Sequence, residues 1–341
     1  MFRVTTNGTL RTYRGNLAKA SWNQYYAMNT VLTGRRFNSF SEDPALAAQS
    51  FRVHAASARN DFQKKTSESA IHKFESAQAS LQKIADQYNT ALDQAEQGVD
   101  GSKSSARAEI GKTMLNTAEG MVKTLNAKYG DKFVFAGANG AEAPFELKDG
   151  KLYFRGIDMA TKDPDELKKL EEWSKESTFV DIGLGLQLDE NEQVISSTAF
   201  NTAISGAGLL GFGTYKDGSP KDIISLTAQM GQLLVDSAAD GSDKMSAADQ
   251  EKANALFDKM QESYSEFNSN RAELDTKAQF LKSNDARLTS TGDTLTEQYE
   301  SLDRVDLADA LSTFVYAQYS YNAALRVGNN VLSQSFIDYM S

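Results

Sequence analysis

The feature that most constrains the fold is a pair of apolar ladders in which every seventh residue is apolar. One ladder lies near the C-terminal end of the sequence, and the other lies in its first third. An apolar repeat of this spacing gives an α-helix one narrow apolar seam, which a partner helix must cover. The sequence therefore predicts two long helices that pack against each other. The ladders are Met260, Phe267, Leu274, Leu281, Leu288, Leu295 and Leu302, and Phe74, Leu81, Tyr88 and Ala95 with Ala77, Ile84 and Ala91 beside them.

Proline and glycine divide the chain into helical outer parts and a turn-rich middle. The four prolines stand at 44, 144, 164 and 220, and twelve of the 23 glycines lie between Gly130 and Gly218. Because proline interrupts helices, long helices are expected outside this middle region. The predicted fold is mostly α: a long helical-bundle or coiled-coil rod formed by both termini, with a small β-containing (α+β) insert. The predicted domains are a terminal helical assembly domain (1–43 and 303–341), a rod domain (44–130 and 221–302) and the insert (131–220).

Local patterns place the individual elements. Gly34 is expected to end the first helix, Asp43 to cap the second with Pro44 in its first turn, and Asp163 to cap a short polar helix. The Asp149-Gly150 pair predicts a type I′ hairpin turn. The predicted helices are 10–33, 44–97, 104–127, 164–173, 221–235 and 306–339, and the predicted strands are 133–135, 145–147, 152–154 and 179–188.

Charge and cysteine content exclude several kinds of partner and site. The chain has 36 basic and 46 acidic residues, a formal net charge of −10 and no basic cluster, so neither nucleic acid nor a membrane is expected as a partner. It contains no cysteine, which excludes disulfides, thiolate nucleophiles and the commoner zinc sites. No apolar run suits a membrane span or a signal peptide, so we expect any export to use a route that reads no cleaved signal.

The sequence shows no convincing catalytic, metal or cofactor site. His54 and His72 are the only histidines and stand eighteen residues apart on one predicted helix, too far apart to share a metal ion. The acidic run 163–172 is interleaved with lysines, which is typical of a solvated helical face. The glycines of 206–213 lack the lysine of a phosphate-binding loop, and a structural loop is predicted there. We therefore expect no enzymatic activity and no cofactor.

Motifs at both ends resemble those of the bacterial flagellin family. The family's helix stop, basic pair and helix restart match 32–36 (Leu-Thr-Gly-Arg-Arg) and 42–45 (Glu-Asp-Pro-Ala). Its terminal helix matches 306–310 (Asp-Leu-Ala-Asp-Ala), 321–325 (Tyr-Asn-Ala-Ala-Leu) and 335–339 (Ser-Phe-Ile-Asp-Tyr). The middle resembles the hook-filament junction branch of this family, hook-associated protein 3, at 132–137 (Lys-Phe-Val-Phe-Ala-Gly), 151–156 (Lys-Leu-Tyr-Phe-Arg-Gly) and 181–186 (Asp-Ile-Gly-Leu-Gly-Leu).

The resemblance implies a structural protein of the bacterial flagellum, located outside the cell. It implies export in an unfolded state through the flagellar type III channel and self-assembly into a ring that joins hook to filament. The implied partners are a sister hook-associated junction protein, flagellin, the export apparatus and an export chaperone that binds the C-terminal helix. Filament flagellin is the nearest alternative, and a secreted enzyme or adhesin with its site in 131–220 is an alternative of another class.

Apolar stripes at the two ends favour assembly through the terminal helices. Segments 1–34 and 306–341 lie outside the predicted bundle, and each carries an apolar stripe too extensive for a lone monomer. We predict that the aromatic run Phe314, Tyr316, Tyr319 and Tyr321 packs between subunits as well as within one. The residues predicted to serve helix packing and assembly are Leu281, Leu288, Leu295, Leu302, Leu311, Phe314, Tyr321, Leu325, Leu332 and Phe336.

Overall fold

The computed structural model describes residues 6–37, 39–100, 104–239 and 241–340, and the side-chain surroundings of 8–329 within them. The helices are α1 (Thr6–Thr33), α2 (Pro44–Val99), α3 (Ser104–Leu125), α4 (Pro164–Ser174), α5 (Gly206–Leu210), α6 (Ile223–Asp236), α7 (Ala247–Asp303) and α8 (Leu307–Met340). The strands are β1 (Lys128–Tyr129), β2 (Lys132–Phe133), β3 (Phe145–Lys148), β4 (Lys151–Phe154), β5 (Ile157–Asp158), β6 (Phe179–Val180) and β7 (Phe200–Asn201). The mostly α fold with small β elements is as predicted.

The chain forms two compact units. One contains 1–61 and 289–341, and the other contains 62–288. Helices α2 and α7 each contribute residues to both units. The three-part division expected from the sequence stays a prediction.

The predicted helix boundaries agree with the local geometry. Gly34 adopts φ +66°, which suits glycine after a helix, and its N–H donates to the carbonyl of Thr30 at 2.9 Å. Asp43 Oδ1 accepts from the backbone N–H of Leu46 at 2.9 Å, so this side chain caps α2. The start of α4 is similar, because Asp163 accepts from the N–H of Asp165 at 2.8 Å.

The two apolar ladders pack together in the unit 62–288. The Oη of Tyr88 on α2 donates to the carbonyl of Met260 on α7 at 3.0 Å, and Gln78 Nε2 donates to Asp275 Oδ1 at 2.7 Å. This confirms the predicted pairing of seams. The buried ladder residues are Phe74, Ala77, Leu81, Ile84, Tyr88, Ala91, Ala95, Met260, Phe267, Leu274, Leu281 and Leu288.

Helices α3 and α6 pack closely in the same unit. A Cβ on Gly111 would lie 2.5 Å from the carbonyl oxygen of Gly231, so the two backbones approach within a distance that only glycine allows. Arg107 on α3 is fully buried and donates to the carbonyls of Ser237, Ser242 and Asp243 at 3.1, 2.7 and 2.9 Å. This guanidinium fixes the segment that follows α6.

A three-stranded antiparallel sheet, β3-β4-β5, covers this core. Phe145 pairs with Phe154 and Lys148 with Lys151. Asp149 and Gly150 between the strands adopt φ +49° and +74°, as the predicted type I′ turn requires.

Three predictions for the middle region were wrong in extent or type. The predicted strand 179–188 stops at Val180, because Gly183 and Gly185 adopt φ +80° and +79° and turn the chain. The predicted strand 133–135 stops at Phe133. The loop expected at 206–213 begins as the short helix α5, which Gly211 follows with φ +81°.

Candidate assembly surface

The terminal helices α1 and α8 pack against each other in the unit formed by 1–61 and 289–341. Their less exposed positions alternate at spacings of three and four residues, which is the pattern of a helix with one covered face. We call these positions the inner seam. The inner seam consists of Leu10, Tyr13, Leu17, Ala20, Gln24, Ala27 and Val31 on α1, and Ala310, Phe314, Ala317, Tyr321, Ala324 and Gly328 on α8.

Many of the inner-seam residues are small. Ala27 and Ala310 are 3% and 4% exposed, so the helices meet closely at these points. A Cβ on Gly328 would overlap the ring end of Tyr13, so this tyrosine side chain packs directly over the glycine. Small side chains allow a close approach but bury little apolar area per residue.

Several other large apolar residues of the same helices lie outside the inner seam and are exposed to solvent. We call this surface the outer apolar face. Trp22 and Leu32 on α1 are 61% and 74% exposed, and Tyr316 and Tyr319 on α8 are 75% and 73% exposed. Large apolar residues exposed in number on neighbouring helices are candidates for a site that binds another protein. Its members are Trp22, Tyr25, Met28 and Leu32 on α1, and Leu307, Leu311, Val315, Tyr316, Tyr319, Leu325 and Val327 on α8.

A small polar junction fixes the end of α1 beside the start of α8. Arg35 Nε lies 3.3 Å from Asp303 Oδ2, and the N–H of Arg36 donates to the Asp303 carbonyl at 2.7 Å. The N–H of Val305 donates to the carbonyl of Gly34 at 3.1 Å. These backbone bonds place α1 and α8 side by side, so the basic pair that follows the first helix has a structural role.

The residues predicted to serve packing and assembly occupy four different environments. Leu281 and Leu288 are buried in the core, and Leu295 and Leu302 are half-buried. Phe314 and Tyr321 lie on the inner seam, whereas Leu311 and Leu325 lie on the outer apolar face, 52% and 42% exposed. Leu332 and Phe336 belong to the part of α8 whose side chains the structure does not describe. The assembly role of all ten remains a prediction.

Sequence reasoning predicted an apolar stripe on 1–34 but did not name the exposed residues of α1. The signal was available: alanine recurs at the seam positions Ala20 and Ala27, while Trp22 and Tyr25 stand between them. A helix whose small residues share one face presents its large residues elsewhere. Searching for the small-residue repeat would have assigned Trp22 and Tyr25 to the exposed face.

The residues considered for metal or acid-base chemistry lie in ordinary surroundings. His54 contacts the ring of Tyr299 at 5.9 Å between centroids, and His72 Nδ1 lies 3.4 Å from Glu75 Oε2. On α4, Glu171 pairs with Lys175 at 2.6 Å. Within the described ranges, no group of three or more His, Cys, Asp or Glu side chains is arranged to hold a metal ion. None of the helices in those ranges has the length and apolarity of a membrane span.

Comparison of the sequence with protein-family models and with curated proteins gives no match. Solved structures do match. A Vibrio parahaemolyticus protein described as a flagellar hook-associated protein aligns with a TM-score of 0.59 at 12% identity, covering 77% of this chain and 100% of that one. Flagellar hook-associated protein 3 of Legionella pneumophila aligns with a TM-score of 0.51 at 11% identity, covering 73% and 98%. FlgL of Bacillus cereus aligns with a TM-score of 0.50 at 13% identity, covering 73% and 99%.

At these identities the similarity concerns the fold, and it confirms the resemblance that the sequence motifs indicate. This chain has the fold of the flagellar hook-associated proteins.

Proposed function

We propose that this chain is a structural subunit of the bacterial flagellum that joins the hook to the filament. The proposal combines the shared fold with one property of the terminal helices. Small residues make up nearly half of the inner seam, while several large apolar residues of the same helices are exposed to solvent. A monomer gains nothing from that arrangement, whereas a subunit in an assembly can bury the outer apolar face against its neighbours.

The free energy available from such burial is considerable. Covering one large apolar side chain is worth roughly 1.5 to 3 kcal/mol, and the outer apolar face presents several. A closed ring repeats the contact at every interface. Folding of the terminal helices would then be coupled to assembly, since subunits order these helices as neighbours cover them.

The proposed partners follow from the family motifs at both ends of the sequence. In this proposal subunits leave the cell unfolded through the flagellar export channel, with a chaperone bound to the C-terminal helix beforehand. They stack on a sister junction protein at one face of the ring and on flagellin at the other. The protein acts outside the cell and carries out no chemistry.

Deleting the encoding gene from a motile strain tests this function. We expect cells that build hooks, lack attached filaments and release unassembled flagellin into the medium, as seen by electron microscopy and immunoblotting. Cells that keep their filaments would contradict the proposal. Loss of the filament protein itself from both cell and medium would identify the chain as filament flagellin.

Two variants of α8 test whether the outer apolar face carries the assembly. Leu311→Asp changes an exposed residue, so the purified monomer should keep the wild-type melting temperature, and the variant should be exported yet fail to attach filaments. Ala317→Asp places a charge on the inner seam and should weaken the pairing of α1 with α8, which circular dichroism would register as reduced helix content. The control variant Asn116→Asp adds one negative charge at an exposed position on α3 and should leave filament attachment unchanged. Normal attachment with Leu311→Asp would refute the role of this face.

A further inference from the structure

A groove in the unit 62–288 is lined by lysines and aromatic rings that nothing described so far explains. It has a volume of about 660 Å³, and its lining includes Lys65 and Lys73 on α2, Lys132 on β2, and the rings of Phe62 and Phe133. Asp131 is the one acidic side chain among the described lining residues. The groove is therefore positively charged in a chain whose net charge is −10. We call it the lysine groove.

Few acidic side chains of the chain itself balance the positive charge of these lysines. The Lys73 ammonium donates to the carbonyl of Thr202 at 2.7 Å and has no carboxylate partner there. Burial, and next the charge of Lys132, lower the pKa of Lys73, so an added negative charge would be favourable at this point. Within the described part of the chain, neither Lys65 nor Lys132 forms an ion pair. Phe62 at the edge of the groove is 66% exposed, which adds uncovered apolar surface.

An exposed hairpin of the same chain carries negative charge, which is complementary to the lysines of the groove. The N–H of Asp189 donates to the carbonyl of Gln193 at 2.8 Å, and the N–H of Ile195 donates to the carbonyl of Gln187 at 3.0 Å, so residues 187–195 form a closed loop. Asp189 Oδ1 accepts from the N–H groups of Asn191 and Gln193, both at 2.8 Å, which makes the tip well defined. We call 187–195 the acidic hairpin.

The tip of the acidic hairpin presents unpaired charge and apolar surface. Glu190 and Glu192 are exposed and form no ion pair within the described residues. Leu186 and Leu188, which lead into the tip, are 46% and 57% exposed. From Gln187 to Glu190 the extended chain spans about 10 Å, enough for the tip to enter a surface groove.

We infer that the lysine groove receives the acidic hairpin of a second copy of this chain. The two carboxylates of the tip would lie among Lys65, Lys73 and Lys132, and the two leucines would cover Phe62. No residue of the hairpin lines the groove of its own chain, so the occupant comes from another molecule. Because groove and hairpin are different surfaces, the contact is head-to-tail and propagates into a ring or a helix. This contact would be one of the contacts between subunits in the proposed hook-filament junction, and its biological role rests on that proposed function. The contact itself can be tested with the purified protein.

The natural lack of cysteine makes disulfide crosslinking of the purified full-length protein specific. Two variants, Glu190→Cys and Lys65→Cys, are mixed and oxidised, and dimers are counted on a non-reducing gel. We expect the mixture to form far more dimer than either variant alone, and salt to slow the reaction about tenfold because charge steers the encounter. The control pairs Glu190→Cys with Lys123→Cys, an exposed lysine on α3. Lys65, Lys123 and Glu190 are all exposed, and melting temperatures equal to that of the wild type would verify that the cysteine variants fold.

Charge reversal provides the second measurement. Lys65→Glu in the Lys132→Cys background should suppress crosslinking to Glu190→Cys, and Glu192→Lys in the partner should restore it. The inference is overturned if the mixture forms no more dimer than the control pair, or if reversal of either charge has no effect. Crosslinking in a protein whose deletion leaves filaments intact would support this contact and refute the flagellar role. Loss of filaments on deletion, without crosslinking above the control, would refute only the contact.

Discussion

At the scale of single residues, a buried carboxyl group connects the fold to pH. Asp222 caps α6, where Oδ1 accepts from the N–H of Ser225 at 2.7 Å, and it is fully buried. Burial, with a smaller contribution from the charge of Asp158, raises the pKa of Asp222 to about 6, against 3.8 without the fold, although bonds from Ser225 and Ile224 oppose the shift. The folded state thus holds this proton more tightly than the unfolded state. The stabilisation is complete below about pH 4 and is lost as the pH rises through about 6.

Asp222→Asn should therefore stabilise the protein at neutral pH. Asparagine keeps a capping oxygen but carries no charge to bury, so the free energy of unfolding should exceed that of the wild type by about 1 to 3 kcal/mol above pH 7. The advantage should shrink as the pH falls towards 4. Urea unfolding of both proteins across this range measures it, with Asp163→Asn at the exposed start of α4 as the control without a neutral-pH gain. If the stability gain of Asp222→Asn instead grew towards low pH, the raised pKa of Asp222 would be contradicted.

The burial of Arg107 could not be predicted from the sequence, because it depends on contacts with residues far away along the chain. Arg107 lies in a charged, polar stretch of α3, yet it is fully buried and donates to three backbone carbonyls of a segment more than a hundred residues away in the sequence. The lysine groove was unpredictable for the same reason, because Lys65, Lys73 and Lys132 meet only in the folded chain. Seven-residue ladders, in contrast, are local patterns, and they were predictable.

At the scale of elements, the α7 ladder changes character along its length. Leu281 and Leu288 are 0% and 1% exposed, whereas Leu295 and Leu302 are only half-buried. Spacing alone cannot distinguish these positions, since burial depends on what the neighbouring elements place opposite each one. The strand predicted at 179–188 was too long, because Gly183 and Gly185 adopt positive φ angles and turn the chain.

Alanine substitutions along α7 measure this difference. Leu288→Ala should reduce the free energy of unfolding by about 2 to 5 kcal/mol, since lost burial and the resulting cavity both contribute. Leu295→Ala is the matched change at a half-buried position and should cost about half as much or less. Chemical denaturation of the two variants compares them. A loss below about 1 kcal/mol for Leu288→Ala would show that this residue is not part of the core.

At the scale of the whole molecule, the terminal helices depend on each other. Within the described residues α1 packs mainly along α8, through a seam rich in alanine. We expect limited proteolysis of the dilute protein to remove both helices and leave a core that begins within 35–41 and ends within 302–307. Mass spectrometry of the fragments identifies the cuts. The assembled protein should resist the same treatment, and a dilute monomer that keeps both termini intact would show that the pair is stable alone.

Exposed residues usually tolerate substitution, but exposed residues of the outer apolar face should not, because assembly would depend on them. On an ordinary surface, polar replacements of residues such as Tyr316 or Tyr319 would be neutral, and on this chain they should even improve the solubility of the separate subunit. Selection for folding therefore has no reason to retain them. A population of such chains would lose these rings by drift unless a binding partner penalised each loss, so their persistence among functional variants would measure the demands of assembly and not those of the fold.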